Sequence, residues 1–159
     1  MDLSPRSRVA LMALVVTAVP TAWAAETALR AAFFPADFEQ LRELLRPAMS
    51  AAARGLVVLT LVLVVPSYLL MRHLARRRLR KLPPMRPDLR AGARVLAFLG
   101  ASSLLQIPGV LVTFCFMFGA AWKPVAACVA LGTLGLVVLA ALTLRDAARE
   151  GPGEQLKNP

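Results

Sequence analysis

Apolar segments without any charge alternate with short charged segments along the 159-residue chain. A helix rises about 1.5 Å per residue and the hydrocarbon core of a membrane is about 30 Å thick, so roughly 17 to 25 apolar residues cross it. Segments of this length or more that lack Asp, Glu, Lys, Arg and His cover 9–25, 55–71, 95–122 and 124–144. The third is too short for two crossings. The pattern therefore predicts one transmembrane helix in each segment, at 9–25, 55–71, 95–119 and 124–144, with a turn at 120–123.

The composition supports this interpretation and excludes two other protein classes. Hydrophobic residues make up 58% of the chain and charged residues 18%. A soluble domain needs charge on one face of its helices or strands, and a disordered chain has far less apolar content. We therefore predict a single all-α membrane domain over 1–159, a polytopic protein with four transmembrane helices in a small antiparallel bundle plus a short interfacial amphipathic helix.

Basic residues indicate the orientation, because Lys and Arg are retained on the cytoplasmic side of a membrane. Fourteen of the 19 lie in 1–8, 72–94 and 145–159, and five lie in 26–54 and 120–123. Moving one basic residue into the core costs on the order of 2.5 kcal/mol on the insertion scale. The distribution predicts that both termini are cytoplasmic. Sixteen Arg against three Lys, with abundant Ala, are typical of a GC-rich bacterial genome and favour the bacterial inner membrane.

The first apolar segment has a second interpretation, as a secretory signal peptide. Arg6 and Arg8 form a basic head, an apolar run follows, and Ala22-Trp23-Ala24 resembles an A-x-A cleavage site. The segment is also long enough to span a membrane, so retention as a helix and removal of residues 1–24 both remain open. Removal would leave three helices without changing the orientation of the others.

The outer segment 26–54 contains the expected interfacial helix, at residues 36–46. Its apolar residues recur at helical spacing: Phe38, Leu41, Leu44 and Leu45. Charged residues take the other side, a pattern typical of a helix that lies in the membrane interface. Phe33 and Phe34 are expected to anchor it. The helix is either a connector that covers the bundle or a docking surface for a partner.

The inner segment 72–94 is strongly basic, with nine Lys and Arg residues and one acid. We expect the second helix to continue past the membrane to Leu82, where Pro83 and Pro84 stop it. Basic residues near a membrane surface attract anionic lipid head groups by about 1 kcal/mol each. The residues expected to make this contact are Arg76, Arg77, Arg78, Arg80 and Lys81. Nucleic-acid binding is disfavoured, because no stacking aromatic residues or recognition motif lie among these charges.

The predicted spans lack the ionisable residues that mark proton and ion pathways, which argues against a proton-coupled transporter. Their most polar feature is a stripe on the third helix: Ser102, Gln106, Gly109 and Thr113. A Gln side chain in a membrane needs hydrogen-bond partners, so this stripe should face other helices. Pro108 frees the carbonyl of Leu104 and should kink the helix. The stripe either joins helices or lines a pocket for a ligand or lipid head group.

Small residues predict close packing of the fourth helix, where Cys128, Gly132 and Gly135 share one face. Candidate polar partners across the bundle are Thr60, Ser67, Tyr68 and Thr133. Cys115 and Cys128 are expected to be buried, inert thiols, because the chain has no C-x-x-C motif. His73 has no Cys or acidic residue at ligand spacing, so neither a metal nor another cofactor is predicted.

These features give two functional hypotheses, of which the first is favoured. The first is a non-catalytic accessory or scaffold subunit that binds other membrane proteins, or further copies of itself, and anionic lipid. The second is a carrier of small solutes or lipids with a polar pocket at the kink beside Gln106 and Pro108. An intramembrane enzyme is the least favoured class, because the sequence contains no recognisable catalytic constellation.

Overall fold

The computed structural model describes residues 4–33, 35–80, 82 and 87–149, which form four helices. The helices are α1 (Pro5–Phe33), α2 (Ala36–Leu79), α3 (Pro87–Met117) and α4 (Trp122–Arg149). All four are long and apolar enough to cross a membrane. No strand occurs in these ranges. The prediction of an all-α protein with four helices able to span a membrane is confirmed.

The second helix is much longer than one crossing requires. α2 contains 44 residues, so at about 1.5 Å per residue it is roughly 66 Å long, about twice the thickness of the hydrocarbon core. Residues 36–46, predicted as a separate interfacial helix, form its first turns and continue without a break into 55–71. Pro47 lies inside the helix, and the Ala-rich residues 48–53 that follow it have high helix propensity.

Other helix boundaries also differ from those predicted. α1 extends past 9–25 at both ends, and α3 begins at Pro87, two turns before residue 95. α2 ends at Leu79, three residues before the predicted end at Leu82. Leu82 itself precedes Pro83, and the residue before a proline disfavours the helical conformation. The N–H of Leu82 instead bonds to the carbonyl of Leu79 in a turn. Predicted features that fall on Phe34, Lys81, 83–86 and 150–159 lie outside the described residues.

The third helix is the centre of the bundle. α3 packs against α1, α2 and α4, and it is the most buried of the four helices. Ala93, Ala97 and Ala101 recur every four residues along it and are all buried. Small side chains at this spacing let neighbouring backbones approach closely, and Phe98 and Leu105 fill the space beside them.

The second helix contributes a narrow seam to this packing. Ala53, Thr60 and Ser67 are fully buried and lie seven residues apart, which is the repeat of a helix that follows its partners along one face. Large apolar residues outside the seam, such as Val62 and Leu69, are exposed on the isolated chain. In a helix able to span a membrane, such side chains face lipid tails or other membrane proteins.

Two apolar clusters fill the interior, one toward each end of the bundle. The first surrounds Phe98 and Leu136, and the second surrounds Val112 and Val125. The second cluster lies next to residues 118–121, which connect α3 to α4; this end of the bundle is called the turn end. Of the polar residues predicted on α3, Ser102 lies beside the first cluster, Gln106 between the two clusters and Thr113 beside the second.

Candidate functional site

Gln106 joins α3 to α1. Its side-chain amide donates a hydrogen bond of 3.0 Å to the backbone carbonyl of Val15. One turn further along α3, Gly109 allows this approach, because a Cβ there would lie 2.9 Å from Cγ1 of Val19. The most polar side chain of the predicted stripe therefore bonds to the first helix, and a glycine keeps the two backbones close.

The two hydroxyl groups of the stripe bond within α3 itself. The Ser102 hydroxyl donates to the carbonyl of Leu99 over 2.9 Å, and the Thr113 hydroxyl donates to the carbonyl of Val110 over 2.6 Å. Ser102 is buried and Thr113 is half-buried. Of the three polar side chains in the stripe, Gln106 is the one whose hydrogen bond reaches another helix.

Pro108 lies on a different side of α3 from Gln106 and faces α4. Its carbonyl oxygen is 3.9 Å from Sγ of Cys128, and that sulfur is 3.2 Å from the hydroxyl of Thr60 on α2. The Thr60 hydroxyl also donates to the carbonyl of Leu56 over 2.7 Å. This contact joins α2, α3 and α4, so Pro108 and Gln106 do not share one pocket wall as the sequence suggested.

The small residues of α4 contact α3 near Leu105, but they leave more space than Gly109 does. A Cβ on Gly132 would lie 3.7 Å from the carbonyl oxygen of Leu105, which is an ordinary contact. A Cβ on Gly135 would lie 3.2 Å from the end of the flexible Leu105 side chain. The tightest glycine contact between apolar spans is therefore at Gly109, which the sequence placed only in the polar stripe.

The two cysteines are both free, and they differ in burial. Cys128 is fully buried, whereas Cys115 is half-buried, so the expectation of two buried thiols holds for one of them. Among the described residues, no group of three His, Cys, Asp or Glu side chains is placed to hold a metal ion.

At the turn end, Arg42 of α2 caps the last carbonyl groups of α3. Its guanidinium donates to the carbonyls of Met117 (3.1 Å) and Phe116 (3.3 Å) and forms an ion pair of 2.8 Å with Glu39. The final carbonyls of a helix lack partners within the helix, and a cation at that end is favourable. The sequence pattern placed Arg42 only among the charged residues on the polar side of the predicted interfacial helix, because no local pattern shows that α2 passes the end of α3.

The α3–α4 connection is fixed on the same part of α2. Ser50 accepts a hydrogen bond of 2.9 Å from the N–H of Ala121. Gly119 has a φ of +103°, which favours glycine, and a Cβ built on it would overlap the carbonyl oxygen of Arg42. The first turns of α2 and the connection between α3 and α4 thus form one packed unit.

A polar cavity of about 270 Å³ lies at this end, between α1, α2 and the connection. Its charged lining residues are Arg30, Glu39, Arg42, Glu43 and Arg46. The guanidinium of Arg30 lies 4.7 Å from the centre of the Phe116 ring, a cation–π contact. Trp23 packs edge-on against the same ring, with centroids 6.0 Å apart.

A second cavity, of about 470 Å³, is an apolar groove between α2 and α4. Aliphatic residues such as Val64 and Leu139 line it, together with Gly135 and Tyr68. Neither this groove nor the polar cavity is lined by Gln106 or Pro108.

The residues predicted to contact anionic lipid lie at the opposite end of the bundle. Arg76, Arg77 and Arg78 form the last turn of α2 and are exposed, and Arg80 follows in a turn. The guanidinium of Arg72, one turn earlier, lies 5.7 Å from the centre of the Tyr68 ring. The structure therefore places four arginines of the predicted set together, while Lys81 lies outside the described residues.

The arrangement offers hydrogen bonds and charge. No described Ser, Thr or Cys side chain hydrogen-bonds to a histidine or a carboxylate. No protein-family model matches the chain, and neither curated proteins nor solved structures give a match.

Proposed function

We propose that the chain is a non-catalytic accessory or scaffold subunit of a bacterial inner membrane, which binds other membrane proteins and anionic lipid. The observation that carries this proposal is the hydrogen bond from Gln106 to Val15. It commits the most polar side chain in the charge-free part of α3 to holding the bundle together. A carrier would need that group free to bind a solute.

The burial of polar groups also favours a scaffold over a carrier. A carrier pocket at the α3 kink needs Gln106 and Pro108 on one cavity wall, but Gln106 bonds to α1 and the Pro108 carbonyl faces α4. The hydroxyl groups of Ser102 and Thr113 donate hydrogen bonds to backbone carbonyls of α3 itself. All three polar side chains of the stripe therefore bond to the protein itself, and Gln106 joins two helices, as expected of a polar group that packs a membrane bundle.

The proposed orientation places both termini and the basic end of α2 in the cytoplasm, with successive helices antiparallel. The excess of Lys and Arg in 1–8, 72–94 and 145–159 supports it. The turn end then faces the outside. The first turns of α2, at 36–46, would lie in or above the outer interface.

Anionic lipid would bind the exposed last turn of α2. The side chains of Arg76, Arg77 and Arg78 make no hydrogen bond or ion pair with the other described residues. At about 1 kcal/mol for each basic residue near an anionic surface, these three supply about 3 kcal/mol of attraction.

Partner contact would use the exposed face of α2, on which Val62 is 61% exposed. A photo-crosslinking side chain at Val62 tests this in intact cells, with the same group at Ile107 on α3 as the control for a different exposed face. We expect a discrete adduct with one polypeptide from Val62, and none from Ile107. Lipid adducts alone at both positions would contradict the scaffold. Solute uptake by proteoliposomes that the Gln106→Leu variant abolishes would instead establish the carrier.

A further inference from the structure

We propose that the polar cavity at the turn end binds a phosphoethanolamine-type zwitterion, that is, a phosphate linked to a primary amine, presented as the head group of a phospholipid. The phosphate would lie against Arg30 and Arg46, and the ammonium group would lie against Glu43. This goes beyond the proposed scaffold, in which lipid binds only at the basic end of α2.

Two of the five charged lining residues are already satisfied by the protein. One guanidinium nitrogen of Arg42 lies 2.9 and 2.8 Å from the two carboxylate oxygens of Glu39. The other nitrogens of Arg42 donate to carbonyls of α3. Arg42 closes the end of α3, and the charges of Arg42 and Glu39 are paired with each other.

The other three charged residues remain available. Within the described chain, the side chains of Arg46 and Glu43 make no hydrogen bond or ion pair, and Arg30 rests on the face of the Phe116 ring. Two guanidinium groups suit one phosphate, because planar guanidinium donors match phosphate oxygens well. One free carboxylate beside them suits one ammonium group. The available charges therefore match a phosphorylated amine better than a simple anion.

A second observation comes from the part of α1 next to the cavity. Both carboxylate oxygens of Glu26 and the indole nitrogen of Trp23 are buried and have no hydrogen-bond partner among the described residues. Glu26 lies close enough to Arg30 and Arg42 to interact electrostatically with both. Buried polar groups without partners are costly, so these atoms call for donors and acceptors from outside the chain. The ammonium group that lies against Glu43 would supply a donor to Glu26 through water.

The size and the rim of the cavity favour a lipid as the source of the zwitterion. A volume of about 270 Å³ lies at the small end of ligand pockets, large enough for a head group and too small for acyl chains. Trp122 lines the cavity and is 62% exposed, and Phe118 is exposed beside it. Aromatic side chains of this kind concentrate at the head-group level of membranes. The acyl chains would then follow the apolar helices below.

The test measures binding of short-chain lipids to the purified full-length chain in detergent. The probes are dihexanoyl-phosphatidylethanolamine, its phosphatidylcholine and phosphatidylglycerol counterparts, and free phosphoethanolamine. Phosphatidylcholine keeps the phosphate but has no ammonium N–H to donate, and phosphatidylglycerol keeps the phosphate without the amine. We expect phosphatidylethanolamine to bind about tenfold or more tightly than either, because a hydrogen bond to a charged group is worth that factor.

Two variants assign the groups, and a third serves as the matched control. Arg46→Gln should weaken binding of phosphatidylethanolamine and phosphatidylcholine alike, by about tenfold. Glu43→Gln should remove the preference between them. Arg54→Gln alters an exposed arginine of the same helix that does not line the cavity, and it should leave binding unchanged. Thermal unfolding of each variant confirms that the bundle remains folded.

Equal binding of all three lipids, or equal losses in Arg46→Gln and Arg54→Gln, would overturn the proposal, since general surface charge would then explain the effect. An unchanged preference in Glu43→Gln would overturn the assignment of the amine. Free phosphoethanolamine that binds as tightly as the lipid would keep the zwitterion site and identify a soluble source. At least tenfold weaker binding of the free compound would establish the lipid.

Discussion

The backbone of Gly119 lies directly against the carbonyl oxygen of Arg42, and the guanidinium of the same arginine bonds to the last carbonyls of α3. Met117 lies 75 positions after Arg42 in sequence and Gly119 lies 77 positions after it. Contacts between residues far apart in sequence thus close one end of the bundle. Since Arg42 belongs to the first turns of α2, this extension of the helix beyond a single crossing has a structural purpose. It fixes the α3–α4 connection.

Replacing Gly119 with Ala should destabilise the protein by about 1–3 kcal/mol. The φ of +103° strains any side chain, and the added Cβ would meet rigid backbone rather than a flexible side-chain end. Unfolding by SDS in mixed micelles measures the loss. Gly55→Ala is the matched control, because nothing lies within 4 Å of a Cβ there. It should be neutral or slightly stabilising, and similar losses in both variants would argue against the packed connection.

Replacing Arg42 with Gln should lower the free energy of unfolding by about 1.5–3 kcal/mol, because the hydrogen bonds from a charged donor to the carbonyls of Met117 and Phe116 are lost. The Arg42 side chain is only 12% exposed, so water replaces these bonds poorly. Arg42→Lys should recover only part of this loss, since an ammonium group cannot reproduce the planar fork. The exposed Arg54, changed to Gln, supplies the comparison. A loss for Arg54→Gln as large as that for Arg42→Gln would show that net charge, not the cap, matters.

The membrane helices could be predicted because the solvation of charge is a local property of the sequence. A run such as 124–144 without charge is compatible with lipid tails whatever its neighbours are. Gln106 could also be predicted to need a partner, for the same reason. Its actual partner, the backbone carbonyl of Val15 on α1, could not be predicted. Every residue has a backbone carbonyl, and the sequence does not show which of them lies beside Gln106.

The contacts that the sequence did not predict depend on which helices lie side by side. The sequence placed Arg42 only on the polar side of the predicted interfacial helix, and its role follows from the course of α2 past the end of α3. Ala93, Ala97 and Ala101 do not stand out in an Ala-rich chain, and they could be recognised as a buried stripe only from the central position of α3 in the bundle. The continuity of α2 through Pro47 was not predicted, because a proline usually ends a helix. The Ala-rich segment after Pro47 has high helix propensity, and it favours continuation of α2.

Adding a methyl group at Gly109 should separate α1 from α3. A Cβ there would lie 2.9 Å from Val19, so Gly109→Ala should cost about 1–3 kcal/mol through overpacking. Gly132→Ala gains the same helix propensity but meets its nearest atom at 3.7 Å, and it should cost far less. The difference between the two free energies of unfolding isolates the contact. Equal values would mean that the α1–α3 interface is loose at this point.

The hydrogen bond between Gln106 and Val15 gives a prediction that also distinguishes a retained first helix from a cleaved signal peptide. If α1 is retained, Gln106→Leu removes an interhelical hydrogen bond and should cost on the order of 1 kcal/mol, because such bonds in membrane proteins contribute about 0.6 kcal/mol on average and about 1.7 kcal/mol at most. Thr113→Val is the control, because the Thr113 hydroxyl bonds only within α3.

The intact mass of the protein purified from membranes shows directly whether residues 1–24 are present. A mass without them, together with no loss of stability in Gln106→Leu, would mean that the mature bundle has three helices and that the carbonyl of Val15 has no part in it. A full-length mass with no loss would leave the bond in place but show that it adds nothing to stability.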